Sequence, residues 1–215
     1  MQKPDYAKET AAILSAALPD IPFDGFTDAT LQAAAEKAGI DPARVKLAFP
    51  RGGLDLAVAF IKAGNAQMQA ELDRADMAAM KIRERITYCV RTRLEVDTAQ
   101  KEAARRAFNL LALPPHAADA TKLLSATVDA MWRAAGDTST DGNFYSKRAI
   151  LAAVYGATRL VWLNDDSDNH DKTWAFLDNR IANVMEFEKA KAKWRDVKEK
   201  LPDPLALLSR LRYRG

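Results

Sequence analysis

The stretch TLQAAAEKAGIDPARVKLAFPRGGLDLA, residues 30–57, has the punctuation of two short helices joined by a tight turn. Gly39 can take the left-handed conformation that ends the first helix. Asp41 can cap the second helix, and Pro42 fits its first position. The glycines at 52 and 53 then free the backbone before a longer apolar segment. This order predicts a helix-turn-helix unit.

The rest of the chain is also helical in character. Its 215 residues are rich in Ala, Leu, Lys, Arg and Glu and contain only 9 Gly and 9 Pro, a composition that favours helices. We therefore predict an all-α fold with a helix-turn-helix unit over 1–52, a helical body over 53–200 and an amphipathic helix over 201–215. Breakers and apolar periodicity place the helices at 6–18, 28–37, 42–49, 54–74, 78–96, 100–111, 119–135, 143–163, 172–194 and 205–213.

The segment 78–96 carries an apolar stripe. Ile82, Ile86 and Val90 recur every four residues, so they are expected to face the core. Cys89, the only cysteine of the chain, is expected to pack there too. The arginines of this segment are expected to lie largely on its other faces: Arg83, Arg85, Arg91 and Arg93.

Charge is unevenly distributed. Residues 189–215 contain nine Lys/Arg and three acids, a net +6, while the whole chain is +3. Such a basic segment suits an acidic partner, a membrane surface or nucleic acid, although a solvated terminal helix is as plausible.

A single cysteine fits a reducing compartment. We expect no signal or transit peptide and no simple spanning helix, which together indicate a bacterial-type cytoplasm.

Residues typical of catalysis are scarce. The two histidines, His116 and His170, lack the spacing of zinc or di-iron motifs, and glycine-rich nucleotide motifs are absent. The loop NDDSDNHD, residues 164–171, could offer oxygens to a cation, but a helix entry with Asp171 near the cap is the favoured interpretation. We expect no catalytic residue, no metal site and no cofactor.

The unit over 27–57 resembles the N-terminal region of TetR-type regulators. The matching positions are Ala35, Ala38, Gly39, Ile40, Phe49 and Pro50. That family usually has a phosphate-contacting tyrosine where Lys46 stands and a lysine where Gly52 stands. Only Arg44 and Lys46 remain to contact nucleic acid. We therefore expect the unit to be architectural, with DNA an unlikely partner.

A second resemblance covers about residues 120–185. The order MWRAAGDTSTDGNFYSKRAILAAVYGATRLVW, residues 131–162, followed by Trp174, Phe176, Leu177 and Arg180, resembles the ubiquinone-biosynthesis accessory family of Coq-nine type, which includes α-proteobacterial homologues. The resemblance implies a TetR-like fold without regulator or enzyme activity. It also implies a lipid-binding protein that presents isoprenoid quinone precursors to the di-iron demethoxyubiquinone hydroxylase, acts peripherally at the bacterial inner membrane and forms a homodimer.

Residue roles follow from this resemblance. The segment 143–163 is apolar on most of its surface, which by periodicity alone fits plain core; the resemblance favours a single long lipid pocket. The expected lipid-pocket residues are Leu151, Val154, Tyr155, Thr158 and Trp162. The polar segment GDTSTDG, residues 136–142, forms a hinge between two predicted helices. The expected hydroxylase-docking patch at this hinge comprises Met131, Asp141, Phe144 and Tyr145, with Phe144 in place of the tryptophan typical of mitochondrial members.

The C-terminal segment is predicted to be a small basic amphipathic helix. Asp203 can cap it and Pro204 can begin it. Its expected membrane-contacting residues are Leu207, Leu208 and Leu211 on one face, with Arg210 and Arg214 towards the other. Packing of this face on the body is the competing interpretation.

Two other functions stay open on the sequence. One is a ligand-responsive TetR-type repressor that binds DNA. The other is a structural dimer partner whose interior is filled by side chains.

Overall fold

The computed structural model describes residues 6–138 and 142–200, with side chains for 6–138 and 144–187. Within these ranges the chain is helical and has no strand, which confirms the predicted all-α fold. The helices are α1 (Ala7–Ala17), α2 (Ile21–Asp24), α3 (Asp28–Lys37), α4 (Pro42–Ala48), α5 (Gly53–Leu72), α6 (Ile82–Glu95), α7 (Lys101–Leu111), α8 (Ala117–Ala134), α9 (Gly142–Leu163) and α10 (Asp171–Lys200).

The helix-turn-helix unit forms largely as its punctuation predicts. Gly39 has a φ of 66°, and the Asp41 carboxylate accepts a hydrogen bond of 2.8 Å from the Ala43 amide. Thr27 caps α3, because its hydroxyl accepts a hydrogen bond from the Thr30 amide at 3.1 Å. Asp28 is free for another role and accepts from the Gly53 amide at 2.8 Å. This bond ties the beginning of α3 to the beginning of α5.

Gly53 allows that close approach. A Cβ at this position would lie 2.3 Å from the Phe26 carbonyl oxygen, well inside van der Waals contact. Gly52 beside it has a φ of 59°, in the left-handed region that glycine adopts without steric cost. The two glycines therefore let the helix-turn-helix unit pack tightly against α5.

Helix α5 is central to the body. It packs against α1, α3, α6, α7 and α8, while α9 packs between α8 and α10. The buried apolar core is continuous across the predicted boundary at residue 52, from Ile13 and Leu31 to Leu56, Leu94 and Leu177. The division into an N-terminal unit and a body stays a prediction.

Some helix bounds differ from the sequence prediction. An additional helix, α2, includes Pro22 at its second residue, where the missing amide hydrogen costs nothing. A 3₁₀ turn, Met77–Ala79, precedes α6 and delays its beginning to Ile82. Helix α10 extends to Lys200. The segment 201–215, with Leu207, Leu208, Leu211, Arg210 and Arg214, lies outside the described residues.

Candidate ligand cavity and docking surface

Helix α9 presents its apolar residues to two separate hollows. Tyr155 borders a cavity among α5, α7, α8 and α9, with a volume of about 150 Å³. Leu151 and Val154 border a second hollow of about 100 Å³ among α6, α8, α9 and α10. Three of the five expected lipid-pocket residues therefore border a hollow, but they do not share the single long cavity that the sequence suggests.

Thr158 and Trp162 border neither of these hollows. The Thr158 hydroxyl donates to the Val154 carbonyl at 2.8 Å within α9. Trp162 is fully buried, its ring 6.0 Å from that of His170. The Lys101 ammonium lies 5.5 Å from the same indole. Both residues lie in the core of this structure, and their expected place in a lipid pocket stays a prediction.

The cavity among α5, α7, α8 and α9 is apolar over most of its wall. Its large side chains are Ile61, Phe108, Leu111, Leu123, Leu124 and Tyr155. Gly156 also borders it, and a Cβ built at Gly156 would meet no atom within 4 Å. The missing side chain thus leaves open space. In the middle of a helix, glycine is less favourable than alanine by about 1 kcal/mol.

A buried polar network lies beside this cavity. Arg93 is 0% exposed; its guanidinium donates to Asp97 at 2.6 Å and to the Asn65 side-chain oxygen at 2.8 Å. The Asn65 amide nitrogen in turn donates to the Thr127 hydroxyl at 2.9 Å, on the cavity wall. A Cβ on Gly64 would lie 2.7 Å from the guanidinium, so this glycine makes room for the ion pair.

The charge of Arg93 is retained inside the protein. Burial lowers the pKa of Arg93, but the nearby Tyr155 side chain and the Asp97 carboxylate together raise it above its ordinary value. This finding corrects the expectation that Arg93 faces away from the core. Its position could have been read from spacing, because Arg93 follows Ile86 and Val90 on one stripe of α6 and pairs with Asp97 one turn later.

The second hollow is lined by apolar side chains from α6, α9 and α10. Ile86, Leu151 and Ile181 are among its buried wall residues. Ile82 and Met185 stand partly exposed at its edge. Sequence patterns located the α6 and α9 walls, but the contribution of α10 depends on tertiary packing.

The hinge residues divide into surface and core. Tyr145 is 75% exposed, and its ring meets the Phe144 ring edge-on at 5.1 Å. The Arg148 guanidinium lies 3.4 Å from the Phe144 ring centre. Met131 is 0% exposed and lies in the core, whereas its expected place in the docking patch stays a prediction. Asp141 lies outside the described residues.

Ion pairs brace this hinge. Arg148 donates to Asp129 of α8 at 2.8 Å and to Asp137 at 3.2 Å. Lys147 donates to Asp137 at 2.8 Å, and the Trp132 indole donates to the Lys147 carbonyl at 3.2 Å. These bonds fix the first turn of α9 against the end of α8, so the two aromatic rings project from a supported corner.

The remaining candidates have structural roles. Cys89 is buried and burial raises its pKa to about 12, as expected for a core residue. Asp165 accepts from the amides and hydroxyls of Ser167 and Thr173. Burial opposes its ionisation, but these bonds hold the pKa of Asp165 well below its usual range. Among the side chains of 6–138 and 144–187, no three acidic, His or Cys groups could jointly bind a metal.

The described helices also have limits in length and hydropathy. None of those within the described ranges is both long and apolar enough to cross a membrane.

On α4, Arg44 is paired with Glu9, and Leu47 is 62% exposed. The face of a helix-turn-helix that would contact DNA thus carries an exposed leucine and an arginine that is already paired.

Comparison with known proteins gives one sequence family. The family model described as COQ9 matches residues 117–188, which span α8, α9 and part of α10. The mitochondrial ubiquinone biosynthesis protein COQ9 of Rattus norvegicus is 34% identical over 194 residues, covering 86% of this chain and 62% of that protein. The Homo sapiens protein of the same name is 32% identical, with coverages of 86% and 61%. The chain spans about three fifths of the length of these relatives.

Comparison of structures gives the fold. The crystal structure of a TetR transcriptional regulator from Nitrosomonas europaea matches with a TM-score of 0.64 at 19% identity. The match covers 81% of this chain and 97% of the regulator. Both resemblances suggested by the sequence are confirmed: the chain is a homologue of the COQ9 family, built on a TetR-like helical fold.

Proposed function

We propose that this chain is a non-enzymatic, lipid-binding accessory protein of ubiquinone biosynthesis. It binds isoprenoid quinone precursors at the membrane and presents them to the di-iron demethoxyubiquinone hydroxylase. The relatives named as ubiquinone biosynthesis proteins support the pathway. The apolar cavity beside α9 is the single observation that best supports lipid binding.

The wall of the cavity suits a lipid. Burial of apolar surface contributes about 25 cal/mol per Å² to binding, and the large side chains around Gly156 offer such a surface. The volume of about 150 Å³ is below the 300–1,000 Å³ of a typical ligand pocket. A whole isoprenoid must therefore extend through the mouth of the cavity or displace α7 and α8 from α9.

Binding rather than catalysis suits the side chains near the cavity. Cys89 is buried, and its raised pKa of about 12 makes it a poor nucleophile near neutral pH. Arg93 and Asp97 are engaged with one another. The proposed role is to hold and present a molecule on which another protein acts.

The proposed hydroxylase-docking patch comprises Met131, Asp141, Phe144 and Tyr145; Met131 is buried and Asp141 lies outside the described residues, so Phe144 and Tyr145 would supply its accessible surface. Aromatic side chains held on a supported corner give contact area with little loss of conformational entropy.

The segment proposed to contact the membrane is 201–215, and the membrane is the inner membrane of a bacterium. Flotation with anionic vesicles, comparing the full chain with one ending at Asp203, tests that part.

The central experiment introduces a side chain into the cavity. Gly156→Leu should fill the open space and abolish co-purification of lipid, which native mass spectrometry of the purified protein detects. Ala153→Leu is the matched control, because Ala153 lies on an exposed face of the same helix and its substitution should leave the lipid bound. A wild-type protein that carries no lipid and takes up none from vesicles would contradict the proposal.

A further inference from the structure

The helix-turn-helix unit contributes to an open groove that is separate from the proposed lipid cavity and from the hinge. The groove lies among α1, the end of α4 and α5, and its volume is about 970 Å³. Leu47 borders it and is 62% exposed. Most of its wall is apolar, with side chains that include Ala7, Ala11, Leu14, Val58, Ala59 and Ala63. Contiguous exposed apolar surface commonly marks an interaction site.

The shape of the groove suits a single helix. Its α5 wall extends from Asp55 to Ala66, a rise of roughly 16 Å or about three helical turns. Small side chains on both walls, such as Ala11 and Ala63, allow a helix to approach closely. An extended peptide fits less well, because the described part of the chain has no strand edge to pair with its backbone groups. A helix satisfies those groups internally.

The charges of the groove favour an acidic occupant. Its charged lining residues are Arg51, Asp55 and Lys62. Arg51 and Asp55 pair with each other at 2.7 Å, and Arg51 also pairs with Asp119 at 2.8 Å. Lys62 is exposed and forms no ion pair within the described ranges. A carboxylate on the occupant would therefore find a free partner at Lys62, which would fix the position of the occupant in the groove.

We propose that this groove binds an amphipathic helix of another protein. The apolar face of that helix packs against Ala11, Ala59 and Ala63, and a carboxylate on its flank pairs with Lys62. Leu47 adds an apolar contact at the border of the groove. The helix-turn-helix unit thereby takes part in a second protein-docking surface. This inference goes beyond the proposed function and does not depend on lipid binding or on the hinge patch.

Two other occupants suit the groove less well. Affinity for nucleic acid grows with the number of cations that contact phosphates, and among the described residues only Lys62 of the groove wall is an unpaired cation. The chain's own segment 201–215 carries three arginines and one aspartate, so its net positive charge would oppose docking beside a lysine. An acidic helix has neither disadvantage.

The test selects binders of the full-length protein from a display library of helical peptides. Each peptide has about 15 residues, near the shortest length that forms a helix in isolation, with a fixed stripe of leucines and randomised flanking positions. Selected peptides should carry Asp or Glu at one flanking position. With Lys62→Glu as the target, the preference at that position should change to Lys or Arg. An acidic peptide should bind this variant about fivefold more weakly, the effect of an exposed ion pair.

A matched pair of variants on α5 locates the binding. Ala63→Trp should fill the groove and weaken peptide binding by about tenfold or more, because the indole clashes with the docked helix. Ala70→Trp is the control, since Ala70 is exposed on the same face of α5, about two turns further along, and lies outside the groove. Both substituted side chains are exposed, so both variants should fold. Tyr145→Ala, at the hinge, should leave peptide binding unchanged.

Four results would overturn the inference. One is a library that yields no peptide whose binding is weakened in Ala63→Trp and retained in Ala70→Trp. Another is the selection of basic peptides by the wild-type protein. DNA binding that Ala63→Trp alone of the pair abolishes would assign the groove to nucleic acid. A dimer that dissociates in sedimentation only with Ala63→Trp would assign it to a second copy of the chain.

Discussion

The helix-turn-helix unit and the body around α9 use their glycines for opposite purposes. In the unit, Gly53 removes a side chain so that two backbone segments can touch, since a Cβ would lie 2.3 Å from the Phe26 carbonyl. In the body, Gly156 removes a side chain and nothing fills the space. The first region packs two backbone segments tightly, and the second leaves an apolar cavity. Within one fold, the unfilled space is the better guide to function.

Breaking the polar network of the body should have the largest effect. Asp97→Ala leaves Arg93 buried without its counter-charge, and removal of one partner of a buried pair costs about 3–5 kcal/mol of unfolding free energy. Urea denaturation measures this loss. The control is Glu95→Ala, which breaks the exposed pair of Glu95 with Arg91 on the same helix and should cost less than about 1 kcal/mol. Similar losses in both variants would mean that the network does not stabilise the body.

The glycines themselves give the next largest effect. Gly53→Ala should lower the unfolding free energy by about 2–3 kcal/mol, because the new methyl group forces two backbone segments apart. Gly156→Ala should raise it by about 0.5–1 kcal/mol, because the methyl group enters open space and the helix gains propensity. Thermal and urea unfolding of the two variants compare the regions directly. The contrast between them is lost if both substitutions destabilise to the same extent.

Docking at the hinge is tested by the exposed ring of Tyr145. Tyr145→Ala should weaken binding to the hydroxylase by about 2 kcal/mol, or thirtyfold, if the ring is an interface hot spot. Leu160→Ala removes an exposed apolar side chain elsewhere on α9 and should leave the affinity unchanged. Surface plasmon resonance with the purified hydroxylase measures both variants. Unchanged affinity in Tyr145→Ala would make the patch ordinary surface.

Nucleic-acid binding by the N-terminal unit should show the smallest effect. Glu9→Gln frees Arg44 from its ion pair, yet DNA affinity at low salt should change less than about twofold, because one released cation adds little to a surface that carries an exposed leucine. Fluorescence anisotropy with duplexes of random and genomic sequence measures it. Sequence-specific, strongly salt-dependent binding would instead show that the unit retains regulator activity.

Local signals were enough to predict much of this protein. Gly39, Asp41 and Pro42 fixed the turn of the helix-turn-helix unit, because cap and turn preferences depend on only a few neighbouring residues. The order of residue types along 131–162 identified the family. The apolar periodicity of α9 correctly predicted a helix enclosed by others, and Cys89 was correctly placed in the core.

Tertiary structure decided what lies against the apolar face of α9. Periodicity shows that Leu151, Tyr155, Thr158 and Trp162 share a stripe, but whether a neighbouring helix fills or leaves open the space beside each one depends on distant residues such as Ile61 and Phe108. The sequence motif predicted Met131 on a surface, whereas packing places its side chain in the core. The cavity that Tyr155 borders exists only because α5, α7, α8 and α9, from separate parts of the chain, converge, so it depends on geometry that no local pattern encodes.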